Sequence, residues 1–254
     1  MTGRILISLA LLVLAGPANS QNLAELPAKC RVAEQLVERD FALPRVLRAI
    51  AAKRLDILVL GAGSSLLPGA NGIKNAYPAR LQIALAEKLP GVAVKVTTDV
   101  QARRTAAEMM KTLGPALAAA KPALMVWQTG TVDAMQAIDL DQFSAALGHG
   151  INIAHSAGAD VVLINAQFSP RTESMIALGT YAENMRWVAL QQGVPLFDRF
   201  NIMRHWADLG TFDLYAATKK LDIAERVHDC IGRLLADLVV EPAKPDEPHA
   251  ESGR

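Results

Sequence analysis

The sequence predicts an α/β fold: a three-layer α/β/α sandwich with helices on both faces of a parallel sheet. Three observations carry that expectation. Short, continuous apolar runs recur along the chain, and a strand that is apolar at successive positions is one buried on both faces. Stretches with apolar residues at helical spacing lie between them. One run follows the next after roughly 30 residues, the length of a βαβ unit.

Residues 25–53 read as helical, with a break at Pro44 and a short helix through Leu47, Ile50 and Ala51. Ile57-Leu58-Val59-Leu60 is the first strand, and the Gly-rich stretch Gly61 to Gly72 follows it. Tyr77-Pro78 opens a helix carrying Leu81, Leu85 and Leu89, which Pro90-Gly91 stops. Val92, Val94 and Val96 alternate as the second strand. Thr105 to Ala120 is helical despite Gly114-Pro115, and Leu124-Met125-Val126-Trp127 is the third strand. A helix over 140–157, a strand over 160–164, a helix over 180–192 and a short strand over 194–197 continue the alternation. The last helix spans Leu221 to Leu238. In such folds chemistry sits in the loops after the strand C-termini. The loops after Leu60, Val96 and Trp127, and the region 197–228, are therefore the places to look.

The 254 residues are 51% hydrophobic and 20% charged, which fits a folded chain and not a disordered one. With 26 basic and 25 acidic residues there is no global field to attract a phosphate backbone, and no nucleic-acid partner is expected. The chain opens with Arg4, an apolar run from Ile5 to Ala15, and Ala18-Asn19-Ser20, the layout of a secretory signal peptide cleaved before Gln21. The run is shorter than the ~20 residues of a membrane span, so no span is expected once residues 1–20 are removed. Residues 21–240 read as a single domain, and the Pro-rich charged tail 241–254 as disordered. Cys30 and Cys230 lie near opposite ends of the exported chain, where a disulfide between them can persist. The histidines and cysteines form no metal-ligand spacing. Gly61-x-Gly63 lacks the third glycine of a dinucleotide loop, its place being taken by Leu66, so no cofactor is expected.

Gly61-Ala62-Gly63-Ser64-Ser65-Leu66-Leu67-Pro68-Gly69, the helix start Tyr77-Pro78-Ala79-Arg80-Leu81, and Trp127-Gln128-Thr129-Gly130-Thr131-Val132-Asp133-Ala134 together resemble the SGNH, or GDSL-type, hydrolase superfamily, particularly its exported bacterial members. The resemblance covers residues 55–238 and implies a flavodoxin-like sheet and a periplasmic or secreted bacterial protein. Members hydrolyse esters, or remove or transfer acyl groups on lipids, carbohydrates and peptidoglycan-like substrates. Four elements are implied: a nucleophilic Ser after strand one, a Gly amide after strand two, an Asn after strand three and a late Asp-x-x-His. The set is chemically intelligible. A hydroxyl needs a base to take its proton, a carboxylate orients the base, and preorganised donors hold the oxyanion.

Each element is altered in this chain. With Gly63 as the motif glycine, Ser65 is the nucleophile. With Gly61 in that role the nucleophile slot is Gly63, and Ser64 or Ser65 faces the cleft or caps the next helix. The second loop, Thr98 to Thr105, has no glycine; Ala102 takes the amide's place, and Arg103 and Arg104 either bind an anion or begin a solvated helix. The third loop keeps Gly130 and Asp133 but has Val132 where the Asn belongs, leaving Gln128 and Thr129 as substitute donors if they turn inward. His228 is the only late histidine candidate, with Glu225 three residues before it and Asp213 and Asp222 as alternative carboxylates, and an unbroken helical rhythm from Leu221 to Leu238 locks His228 in mid-helix. Phe197 to Trp206, with aromatics and two arginines, either lines a binding groove or packs one face of a short helix.

Four altered elements on an intact scaffold point to an exported cell-envelope binding protein that lacks the standard catalytic machinery. Its partner is then a small acylated or glycan ligand in the cleft. The alternative is a serine ester hydrolase or acylesterase using Ser65 or Ser64 with His228 and Glu225.

Overall fold

The computed structural model describes residues 26–215 and 220–241. The signal segment expected at 1–20, and all of the expected tail but Glu241, lie outside the described residues. Five parallel strands form the sheet: β1 (Arg54–Gly61), β2 (Ala93–Val100), β3 (Leu124–Gln128), β4 (Asp160–Ile164) and β5 (Leu196–Phe197). Their spatial order is β2-β1-β3-β4-β5. Burial follows position in that order. Every residue of β3 and β4 is buried, as a central strand between two helical layers must be. At the edge, β2 has none fully buried.

The helices are α1 (Pro44–Ala51), α2 (Gly72–Asn75), α3 (Tyr77–Lys88), α4 (Ala106–Ala120), α5 (Thr131–Met135), α6 (Leu140–Ser156), α7 (Pro170–Glu173), α8 (Leu178–Gln192), α9 (Arg199–Asp208) and α10 (Leu221–Val240). Helix α3 packs on α10, while α4, α6 and α8 pack side by side, giving the two outer layers. Gly232 lets α10 lie against α3, because a Cβ there would come 2.8 Å from the Arg80 carbonyl carbon. Helix α4 runs through Gly114-Pro115 as expected; a capping box of Thr105 and Glu108 starts it, and Met109, Leu113 and Leu117 bury its inner face.

The N-terminal region departs from the helical expectation for residues 25–53. Only α1 is an α-helix there, preceded by 3-10 turns at Ala28–Cys30 and Glu34–Leu36. Tertiary contacts shape this segment more than local periodicity does. Cys30 is bonded to Cys230 of α10, and the Trp206 indole donates to the Arg31 carbonyl. The Asp160 carboxylate accepts the backbone N–H groups of Arg45 and Val46 at 2.7 and 3.0 Å, capping α1 from β4. Among the described residues no helix is long and apolar enough to cross a membrane.

Candidate functional site

The strand order reverses between β1 and β3, which opens a crevice beyond their C-terminal ends. The loops after these two strands meet there. Ala62 leads into a 3-10 turn over Gly63–Ser65 that folds the serine pair back over the end of β1. Gly61 makes this possible, since a Cβ on it would lie 2.4 Å from the Ser65 hydroxyl oxygen. Both serines donate to one acceptor at the end of β3: Ser64 Oγ lies 2.9 Å and Ser65 Oγ 2.7 Å from Gln128 Oε1. The Tyr77 hydroxyl is 3.1 Å from Ser65 Oγ and must be the donor, because the serine's one proton is already on Gln128. Both serine hydroxyls thus point at a neutral amide oxygen, which is not a general base.

His228 faces this cluster from α10. The backbone N–H of Tyr77, the first residue of α3, donates to His228 Nδ1 at 3.0 Å. The first N–H groups of a helix have no partner within it, and Ala76, the preceding residue, has no side chain able to accept one. His228 serves as that cap from another helix. A ring nitrogen that accepts cannot carry a proton, so in the neutral imidazole the proton is on Nε2. Burial, reinforced by the Arg199 charge, pushes the imidazole down to about 3 from its ordinary 6.5. His228 is therefore neutral and a donor.

Arg199 is the other unusual group. It opens α9, whose start is fixed from β4: Asn165 accepts from the Phe200 N–H and donates to Asp198, which in turn accepts from the Asn201 N–H. The guanidinium is fully buried, donates to the Ser64 carbonyl at 3.0 Å and to Gln167 Oε1 at 3.1 Å, and lies 5.6 Å from the centre of the Tyr77 ring. Its burial pulls the pKa down to about 10, and the nearby Tyr77 hydroxyl is pushed up to about 12 by its own burial.

These groups border a cleft of about 780 Å³. Its walls are mainly apolar, with Leu66, Leu67, Val132, Met135, Phe168 and Met203 among them, while Ser64, Gln167, Arg199 and His228 supply polar points. The volume is that of a small-molecule site.

The expected site residues fall into two groups. Gly63, Ser64, Ala102 and His228 line the cleft; Ser65, Gln128 and Gly130 do not. Gln128 turns inward but presents its oxygen to the serines, leaving its amide nitrogen buried without a partner, so it holds hydroxyls and offers the cleft no donor. Glu225 does not orient His228: its carboxylate accepts from Asn75 at 2.7 Å, as α10 has turned it away from the imidazole. The serines cap no helix, and α2, the next one, has no side-chain cap. Thr129 donates to Asp133, which also accepts the N–H groups of Gly130 and Ala106. The amides of Ser65 and Leu66 are likewise used, by the carbonyls of Ala62 and Gly63. Arg104 is buried against Asp99 and the Gly61 carbonyl, leaving Arg103 alone of that pair at the cleft.

Arg199 was not singled out by the sequence reading, which took residues 197–206 as one groove-lining or packing segment. The signal was available. Arg199, Ile202, Met203 and Trp206 fall at i, i+3, i+4 and i+7, one helical face, and all four are buried. An arginine at the head of an apolar stripe is a charge carried inward.

The family model of the Non-GDSL lipase-like family matches residues 29–245. Solved structures with a similar fold include Axe2, an acetylxylan esterase from Geobacillus stearothermophilus, at 14% identity and a TM-score of 0.60 over 76% of this chain and 97% of that one. LAE5, an alpha/beta hydrolase enzyme from the metagenome of Lake Arreo in Spain, is similar at 16% identity and a TM-score of 0.59 over 73% and 94% of the two chains. TesA is similar at 22% identity and a TM-score of 0.50, over 67% of this chain and 97% of that one. No curated protein matches in sequence. These likenesses are of fold, a parallel sheet between helical layers as in SGNH-type hydrolases.

Proposed function

We propose that this chain, which belongs to the Non-GDSL lipase-like family, is an exported binding protein that holds an acylated small molecule in the cleft and does not hydrolyse it through a serine–histidine relay. One observation carries the reading: His228 Nδ1 caps α3. A serine nucleophile needs a nitrogen that can accept its proton. Nδ1 is occupied by the Tyr77 N–H and Nε2 already holds a proton, so neither nitrogen is open. The cleft's largely apolar walls, Leu66, Leu67, Val132, Met135, Phe168 and Met203 among them, favour an acyl chain over a glycan. In this reading residues 21–240 form one domain, delivered to the periplasm or medium by residues 1–20.

A serine ester hydrolase is the second reading. It is supported by Ser64, whose hydroxyl is at the cleft, and by a fold shared with the esterase Axe2. Labelling the folded, purified protein with a fluorophosphonate, read by intact mass, separates the two. The binding reading expects no adduct. Stoichiometric modification of Ser64 or Ser65 that is lost in His228→Ala would overturn it.

A further inference from the structure

Among the described residues the charge on Arg199 has no negative counterpart. No carboxylate lies within ion-pair distance of it among the described residues; it makes two hydrogen bonds, to a carbonyl and an amide oxygen, and its Nε is buried without a partner. The acid next to it in sequence, Asp198, is taken by Arg186 and Asn165. A buried guanidinium is ordinarily paired, because removing a lone charge from water is costly. Arg199 nevertheless lies on the wall of the cleft, and His228, a neutral donor through Nε2, lies on the same wall. Positive charge thus borders a chamber lined mainly by apolar side chains, with Thr131, Gln136, Ser169 and Thr172 as neutral polar points.

We infer that the cleft takes an amphiphile with a single anionic head, a carboxylate on an apolar tail, whose charge is neutralised by Arg199. This rests on the cleft being a binding site for acyl chains, as proposed above, and adds the head group. A guanidinium presents parallel N–H donors that match the two oxygens of a carboxylate. One buried cation balances one negative charge. A doubly charged phosphate monoester would need a second buried cation, and Arg103, the other arginine at the cleft, is exposed.

The test is calorimetric titration of the intact protein with decanoate, decanol and decylamine, three tails of equal length that differ in the head. Decanoate binds more tightly than decanol by about tenfold or more, the scale of a charge-assisted hydrogen bond, and decylamine is weakest. Ala224→Trp, which fills the cleft from α10, abolishes decanoate binding. Arg199→Met reduces decanoate to the affinity of decanol; if that variant does not fold, the head-group series on the unaltered protein decides. Equal binding of decanoate and decanol, blocked by Ala224→Trp, would overturn the anionic head and leave the acyl cleft standing. No binding of any of the three would overturn both.

Discussion

The backbone N–H of Tyr77 donates to His228 Nδ1 at 3.0 Å, so the histidine in the late position of the chain caps the start of α3 from another helix. The contact ties α10 to the start of α3 and determines which ring nitrogen holds the proton.

His228 makes stability depend on acid. Its folded pKa, about 3, is below its unfolded value of 6.5. Between those values the unfolded chain binds a proton that the folded chain does not. Stability from this group is therefore full above pH 6.5 and falls as pH drops toward 3, with a slope of about 1.4 kcal/mol per pH unit. Urea unfolding measured across that range should show the slope in the unaltered protein and a flatter dependence in His228→Gln.

The buried Ser65 hydroxyl links Tyr77 to Gln128. Ser65→Ala leaves the buried Tyr77 hydroxyl without its acceptor and removes one of two donors to Gln128. The expected loss is about 1–3 kcal/mol in urea unfolding. A stability unchanged from the parent would show that this network does not hold the loop.

Two helical glycines should respond to alanine with opposite signs. In α10, a Cβ on Gly232 meets the backbone of α3 at 2.8 Å, and backbone cannot swing aside. Gly232→Ala should cost about 1–3 kcal/mol as overpacking. A Cβ on Gly148 in α6 meets only the end of the Gln192 side chain, at 3.5 Å, so Gly148→Ala should stabilise by about 0.5–1 kcal/mol through the entropy of the unfolded chain. Thermal melts of the pair check both signs.

The disulfide joins residues 200 apart and fastens the N-terminal segment to α10 two residues from His228. In the chain-entropy account a loop of that size is worth about 5 kcal/mol. The double substitution Cys30→Ala/Cys230→Ala should lower the free energy of unfolding in urea by an amount of that order. A shift within error of zero would mean that packing alone holds the segment.

The fold was legible because its central strands are built on continuous apolar runs. Ile57 to Leu60, Leu124 to Trp127 and Val161 to Ile164 are the runs expected, and they are buried as central strands. Residues 26–43 were not, since their conformation is imposed by the Cys30–Cys230 bond and the Trp206–Arg31 contact, neither of which leaves a local periodicity. At the site, the serines, Gln128 and His228 were found by position. Their chemistry was not legible, because it depends on direction: Gln128 presents oxygen and not nitrogen, Glu225 turns to Asn75, and His228 accepts where a base must be free. Spacing along a helix places a side chain on a face without telling which atom meets which.

The protonation of His228 tests the central claim most directly. Long-range proton–nitrogen correlation NMR on the folded protein reads the tautomer of each histidine ring and its titration. The account predicts that His228 carries its proton on Nε2 and stays neutral from about pH 8 to about pH 5. A His228 ring protonated at Nδ1, or one that titrates near 6.5, would free a nitrogen to act as a base and contradict it.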